Sequence, residues 1–165
     1  MTGVALTELA GYSNHERAKW KAWVAADPTR LAIPFQREGR FRTIGSLLDH
    51  VFLVERRHLS RLQAATPPES SGIAKGDWKA LFEYGDLVRA DFSAYLAQFD
   101  EAQARDRLTV VVQSGSTTMS KRRLATHILI HELRHMAQIA LAVREAGHEP
   151  PGKHDLFYFD EFENL

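Results

Sequence analysis

The chain has 165 residues, of which 44% are hydrophobic and 25% charged, which is typical of one globular domain spanning residues 1–165. Lys plus Arg and Asp plus Glu number 21 each, so no net charge favours nucleic acid or an anionic membrane as a partner. The absence of cysteine excludes disulfides and thiolate ligands, and it leaves histidine and carboxylate as metal ligands. Because no long apolar run or secretion signal is present, we expect a cytoplasmic protein.

Two helices are predicted in the first half of the chain. Apolar side chains recur at helical spacing from about Val4 to Asp27, where Asp27-Pro28 ends the first helix. Thr43 is suited to cap a second helix, whose apolar positions continue until shortly before Pro67-Pro68.

A third helix and a hairpin are predicted next. Asp77 is suited to cap the third helix, and its apolar pattern fades near Asp100. Residues 108–112 and 117–119 are rich in Val and Thr and flank a glycine-containing turn that includes Gln113, which predicts two short strands.

The last helix is predicted from Ser120, a suitable cap, to about Ala146, with Gly147 as a natural stop. The sequence therefore predicts an all-α fold, a four-helix bundle with a small β-hairpin between the third and fourth helices.

Three histidines recur every four residues in this last helix, at His127, His131 and His135. Positions four apart differ by only about 40° around a helix axis, so His131 and His135 can point both imidazoles at one atom. A further ligand is predicted at His50, on the inward face of the second helix, because bundle interiors often hold metals between facing helices. The alternative for His50 is a hydrogen-bonded core histidine.

These residues resemble the DinB-like superfamily of metal-binding four-helix bundles. The similarity covers Tyr12-Ser-Asn14-x2-Arg17, Ser46-Leu-Leu-Asp-His50, the His127-x3-His131-Glu132-x2-His135-x2-Gln138 pattern and the helix end through Pro151. The resemblance implies metal ligation by His50, His131 and His135, and often a homodimer. A three-histidine set with an open position is typical of catalytic zinc, and nickel or iron would also fit. Characterised relatives include enzymes that use an external low-molecular-weight thiol such as mycothiol, bacillithiol or glutathione.

His127 is expected outside the ligand set, since residues eight apart lie about 12 Å apart along the axis and one ion cannot easily reach all three histidines. It is a candidate hydrogen-bond partner, pocket residue or core histidine. Gln138 is a further candidate beside the ligands.

Glu132 raises a competing hypothesis, because His131-Glu132-x2-His135 also matches the zinc protease pattern in which the glutamate is a general base. The extended form of that pattern needs glycine where Gln138 stands and histidine where Leu141 stands. A protease is therefore disfavoured, and Glu132 is expected to face a helix neighbour or a subunit contact.

Arg57 and Arg61 follow His50 on nearly the same helical face and would suit an anionic substrate, although solvated or salt-bridged arginines are the ordinary alternative. Tyr12, Asn14 and His154 are weaker candidates for the pocket rim.

The last helix also carries apolar residues opposite its histidines, at Leu129, Leu133, Met136 and Ala140. These residues predict either a homodimer contact or burial between neighbouring helices and the segment 156–159.

The sequence favours a divalent-metal-dependent enzyme that acts on a small-molecule substrate. The resemblance favours a low-molecular-weight-thiol S-transferase over a metal-dependent hydrolase. A non-catalytic, metal-stabilised binding bundle is the alternative from a different class.

Overall fold

Four long helices form the body of the protein in a computed structural model that describes residues 5–35, 39–112 and 115–159. In chain order the helices are α1 (Leu6–Ala26), α2 (Ile44–Leu62), α3 (Trp78–Leu96), the short α4 (Glu101–Arg105) and α5 (Lys121–Glu145). The predicted four-helix bundle is therefore confirmed. Val4, predicted to start the first helix, and Gln113 in the predicted turn lie outside the described residues.

Helices α2, α3 and α5 begin where short polar side chains satisfy their first backbone N–H groups. Thr43, Asp77 and Ser120 each accept a hydrogen bond from the backbone N–H three residues further on, at 3.1–3.2 Å. Gly147 follows α5 with a φ of +81°, the left-handed conformation that ends many helices. The predicted caps and stop are confirmed.

Each long helix packs against two others. Helix α2 contacts α3 and α5, and α1 contacts the same two helices, so α1 and α2 lie diagonally across the bundle. The core consists of two apolar clusters, one around Trp20, Phe52 and Phe82 and the other around Phe92 and Leu129. These five side chains are fully buried. Helices α2 and α5 are therefore neighbours, and the surface seam where they meet lies beside the packed core.

A two-stranded antiparallel sheet connects α3 to α5, as the sequence predicts. Strands β1 (Arg107–Val112) and β2 (Gly115–Ser120) pair with Leu108 opposite Met119. The short helix α4 before them was not predicted. It is capped by reciprocal hydrogen bonds between Asp100 and Gln103, and its five residues are too few to show a helical repeat in the sequence.

The C-terminal segment lies across α1. The His154 ring stacks on Trp20 with 5.4 Å between centroids, and its Nδ1 donates a hydrogen bond to Glu16 Oε2 at 2.5 Å. The Tyr12 hydroxyl donates to the His154 carbonyl oxygen at 2.6 Å, and Trp23 Nε1 donates to Glu149 O at 3.0 Å. These contacts fix the segment on the α1 side of the bundle.

The apolar residues of α5 opposite its histidines are mostly buried inside the chain itself. Leu129, Met136 and Ala140 all belong to the core clusters, and Leu133 is partly buried. Their apolar character is therefore explained by packing within one chain, and the homodimer stays a prediction. None of the helices in the described ranges has the length and apolar character needed to cross a bilayer.

Candidate metal centre

Three histidines from two helices meet at the seam between α2 and α5. The ring centroid of His50 lies 5.1 Å from that of His131 and 5.3 Å from that of His135, and the two α5 rings are 4.4 Å apart. One ring nitrogen of each histidine lies within 4.8 Å of those of the other two. The structure thus brings together the three histidines that were predicted as ligands, in an arrangement compatible with a metal site.

The distance between ring nitrogens is close to that between ligands of a tetrahedral divalent ion. Nitrogen ligands about 2.0–2.1 Å from an ion at tetrahedral angles are about 3.3 Å apart. The observed distance between His131 Nε2 and His135 Nε2 is 3.1 Å. A set of three imidazoles also leaves one tetrahedral position for an exogenous ligand, as is usual in catalytic zinc sites.

Two neighbouring side chains hold the histidines in place. His135 Nδ1 donates a hydrogen bond to Gln138 Oε1 at 2.6 Å, which leaves the lone pair of the other ring nitrogen, Nε2, directed at the cluster. The Phe41 ring lies 4.5 Å from that of His50 and forms an apolar wall on that side. Gln138, a candidate from the sequence, therefore lies beside the predicted ligand His135.

Burial keeps the cluster neutral. Burial, aided by the neighbouring His135, lowers the pKa of His50 to about 4. Burial and the same neighbour lower the pKa of His131 to about 3, and burial also lowers the pKa of His135. At neutral pH all three imidazoles are therefore neutral, and each has one ring nitrogen with a lone pair, as metal ligation requires.

Glu132 points away from this cluster. Its Oε1 accepts from Arg17 Nε at 2.8 Å, its Oε2 accepts from Ser13 Oγ at 2.6 Å, and Arg89 Nη2 also donates to Oε2. Only 2% of the side chain is exposed. The role of general base that the protease pattern assigns to Glu132 therefore does not fit this structure.

The same two arginines also bind a second carboxylate. Arg17 Nη2 donates to Glu55 Oε2 at 2.5 Å, and Arg89 Nε donates to Glu55 Oε1 at 2.6 Å. Burial alone would raise the pKa of Glu132, but Arg17 and Arg89 outweigh it and hold that pKa at about 2. The result is a buried network of two arginines and two glutamates that joins all four long helices.

His127 lies one turn before His131, with 5.4 Å between ring centroids, and faces a histidine of α2. That partner is His58, whose ring centroid is 5.3 Å away. His127 is not in the group of three nitrogens that could share an ion. This placement agrees with the expectation that it stays outside the ligand set.

The remaining candidates have other partners. Arg57 Nε donates to Pro68 O at 2.8 Å and its Nη2 donates to Glu69 O, so this guanidinium holds the loop after α2. Asn14 Oδ1 accepts from Arg89 Nη1 at 2.8 Å. Tyr12 contacts the C-terminal segment, as described above, and none of its described contacts is with the three histidines.

His58, Phe41 and the buried network of arginines and glutamates were not predicted from the sequence. His58 follows His50 by eight residues, the same spacing that separates His127 from His135, and this matched spacing could have identified it. Phe41 lies before α2 and has no periodic pattern. The pairing of Arg89 with Glu55 and Glu132 joins three helices, and no pattern within one helix could reveal it.

The fold and the cluster together define a helical bundle with a three-histidine group that could bind a metal ion. The chain belongs to the DinB family, whose family model matches residues 1–162. No curated protein matches the chain.

Proposed function

We propose that this DinB family protein is a divalent-metal-dependent enzyme that acts on a small-molecule substrate, with transfer of a low-molecular-weight thiol as its reaction. The observation that carries the proposal is the convergence of three neutral imidazoles, His50, His131 and His135, from two helices. Zinc, nickel and iron all suit such a nitrogen donor set.

An ion held there would act as a Lewis acid and lower the pKa of a thiol or water molecule in its open coordination position. Five side chains of the protein would bind the ion, orient a ligand or shield the site. His50, His131 and His135 supply the donor nitrogens, Gln138 orients His135, and Phe41 excludes water from one side of His50. Pre-oriented ligands lower the cost of assembling the site.

Thiol transfer is favoured over hydrolysis by the position of Glu132. Hydrolysis benefits from a general base beside the reacting water, and Glu132, the carboxylate next to His131, is ion-paired to Arg17 and Arg89 on the other side of α5. A thiol, with an ordinary pKa of about 8.5, needs much less help to ionise than water. The family resemblance points to the same reaction. A homodimer and a cytoplasmic location are further parts of the proposal.

Elemental analysis tests the metal centre. The protein is purified without a tag or added metal beside His50→Ala and, as a matched control, His127→Ala. We expect about one divalent ion per chain in the wild type and in His127→Ala, and loss of the ion in His50→Ala. No ion in the wild type after reconstitution with zinc, nickel or iron would overturn the proposal.

A thiol assay tests the reaction. Metal-loaded wild type and His131→Ala are incubated with glutathione and a panel of electrophiles, and the remaining thiol is titrated. We expect thiol consumption above the uncatalysed rate only in the loaded wild type. Hydrolysis of ester or amide substrates without thiol consumption would favour the hydrolase instead.

A further inference from the structure

A second pair of imidazoles extends the row of histidines along the seam between α2 and α5. His58 on α2 faces His127 on α5 with ring centroids 5.3 Å apart, and His127 is 5.4 Å from His131. The antiparallel helices thus align five histidines, and the second pair begins one helical turn, about 6 Å, beyond the predicted ligand His131.

Hydrogen bonding fixes the orientation of His58. Arg61 Nη1 lies 3.1 Å from His58 Nδ1, and because a guanidinium only donates, Nδ1 is the acceptor and the ring proton is on Nε2. His58 is 9% exposed. Within the described part of the chain no acceptor is hydrogen-bonded to His58 Nε2 or to either ring nitrogen of His127. The His58 Nε2–H therefore remains available to an acceptor from outside the chain.

Arg61 differs from the other arginines of its helix. Arg56 Nη2 forms an ion pair with Asp91 Oδ2 at 2.7 Å, and Arg57 donates to two loop carbonyls. Among the described residues Arg61 has no carboxylate partner, and its one hydrogen bond goes to His58. Most of its guanidinium N–H groups therefore remain available to a ligand.

Four arginines act on this pair of histidines. The guanidinium groups of Arg61 and Arg57 from α2 act on His58, and those of Arg134 and Arg123 from α5 act on His127. The whole chain has a net charge of zero, so an uncompensated positive patch at this seam is a local feature. Such a patch attracts anions.

We propose that His58, Arg61 and His127 form an anion-binding subsite that takes the carboxylate of a small-molecule substrate. The planar guanidinium and the Nε2–H of His58 are donors only, and a guanidinium fork matches the two oxygens of a carboxylate. The subsite rests on the proposed function in one respect, since it places the substrate's reactive end at the three-histidine cluster. A fitting substrate has a carboxylate about 6 Å from its reactive atom.

The experiment uses the full-length chain, metal-free in a chelator, with isotope-labelled histidine. Sodium succinate is titrated against sodium chloride at equal ionic strength, and the ring resonances of His58 and His127 are followed by NMR. We expect saturable shifts of these two residues with succinate only. His15, which is exposed on α1, is the internal control and should not move.

Two variants on the same helix decide the assignment. Arg61→Gln should weaken succinate binding at least tenfold, whereas Arg56→Gln, which loses the contacts of Arg56 with Asp91 and Tyr84, should bind as the wild type does. Equal affinities of the two variants, or no saturable shift in the wild type, would overturn the proposal. Saturable binding of inorganic phosphate but not of succinate would overturn the carboxylate assignment.

Metal content separates this proposal from the proposed function. Arg61→Gln should retain the ion of the wild type, since the substitution leaves His50, His131 and His135 in place. Succinate binding to a protein that never takes up metal would support the subsite while the enzymatic proposal fails. Normal metal content without succinate binding would overturn the subsite and leave the enzymatic proposal standing.

Discussion

His131 and Glu132 are adjacent in sequence but face opposite sides of α5. The His131 ring lies among the histidines at the seam with α2, whereas the Glu132 carboxylate is bound by Ser13 and Arg17 of α1 and by Arg89 of α3. One turn of helix thus carries a candidate metal ligand on one side and a buried structural anion on the other. Each side has its own measurable consequences.

Replacement of Glu132 by Gln should destabilise the fold and spare the metal site. The change leaves Arg17 and Arg89 with an uncompensated buried charge, and breaking such a pair typically costs about 3–5 kcal/mol. Urea denaturation measures the loss, and Glu145→Gln, at the exposed end of α5, serves as the control. A variant with wild-type stability and metal content but no turnover would instead make Glu132 a general base.

Replacement of Gly85 by Ala should also destabilise the protein. A Cβ at this position would lie 2.8 Å from two atoms of the Phe52 ring, and Arg17 Nη1 donates to the Gly85 carbonyl oxygen at 2.6 Å. Overpacking of this kind costs about 1–3 kcal/mol. Ser93→Ala, an exposed site on the same helix, is the control for the change in helix propensity, and equal denaturation midpoints for the two variants would refute the prediction.

The sequence predicted the long helices because each has its own apolar repeat, and α2, α3 and α5 also begin at a capping side chain, as at Thr43 and Ser120. The histidine triad could be predicted for a related reason, since His131 and His135 share a helix and His50 lies on the inward face of another. The buried network could not, because Arg17, Glu55 and Glu132 meet only after three helices pack. The sequence of one helix does not show whether its charged residues will be buried against partners from other helices.

Acidification should destabilise the protein partly through His58. Burial, then Arg61 and His127, lowers the pKa of His58 in the folded state to about 3 from an ordinary value near 6.5. Between these values the unfolded chain binds the proton and the folded chain does not, so stability falls as pH falls below about 6.5. One such group contributes at most about 1.4 kcal/mol per pH unit.

His58→Gln should therefore lose less stability than the wild type between pH 7 and pH 4.5. Urea denaturation of both proteins, metal-free and in buffers without carboxylate or phosphate, measures the difference. Parallel stability curves over this range would show that His58 is protonated equally in the folded and unfolded chains, contrary to the prediction.

The last prediction separates an open reactive site from a structural metal. The three histidines are only half-buried at a surface seam, while the core around Trp20, Phe52 and Phe82 is complete without them. In a chelator, His131→Ala should therefore melt within a few degrees of the metal-free wild type. Added metal should raise the melting temperature of the wild type alone, because an ion that binds only the folded state stabilises it by mass action. A metal-free wild type that is largely unfolded would instead assign the ion a structural role, as in domains that fold only with their metal, and would favour the non-catalytic bundle over the enzyme.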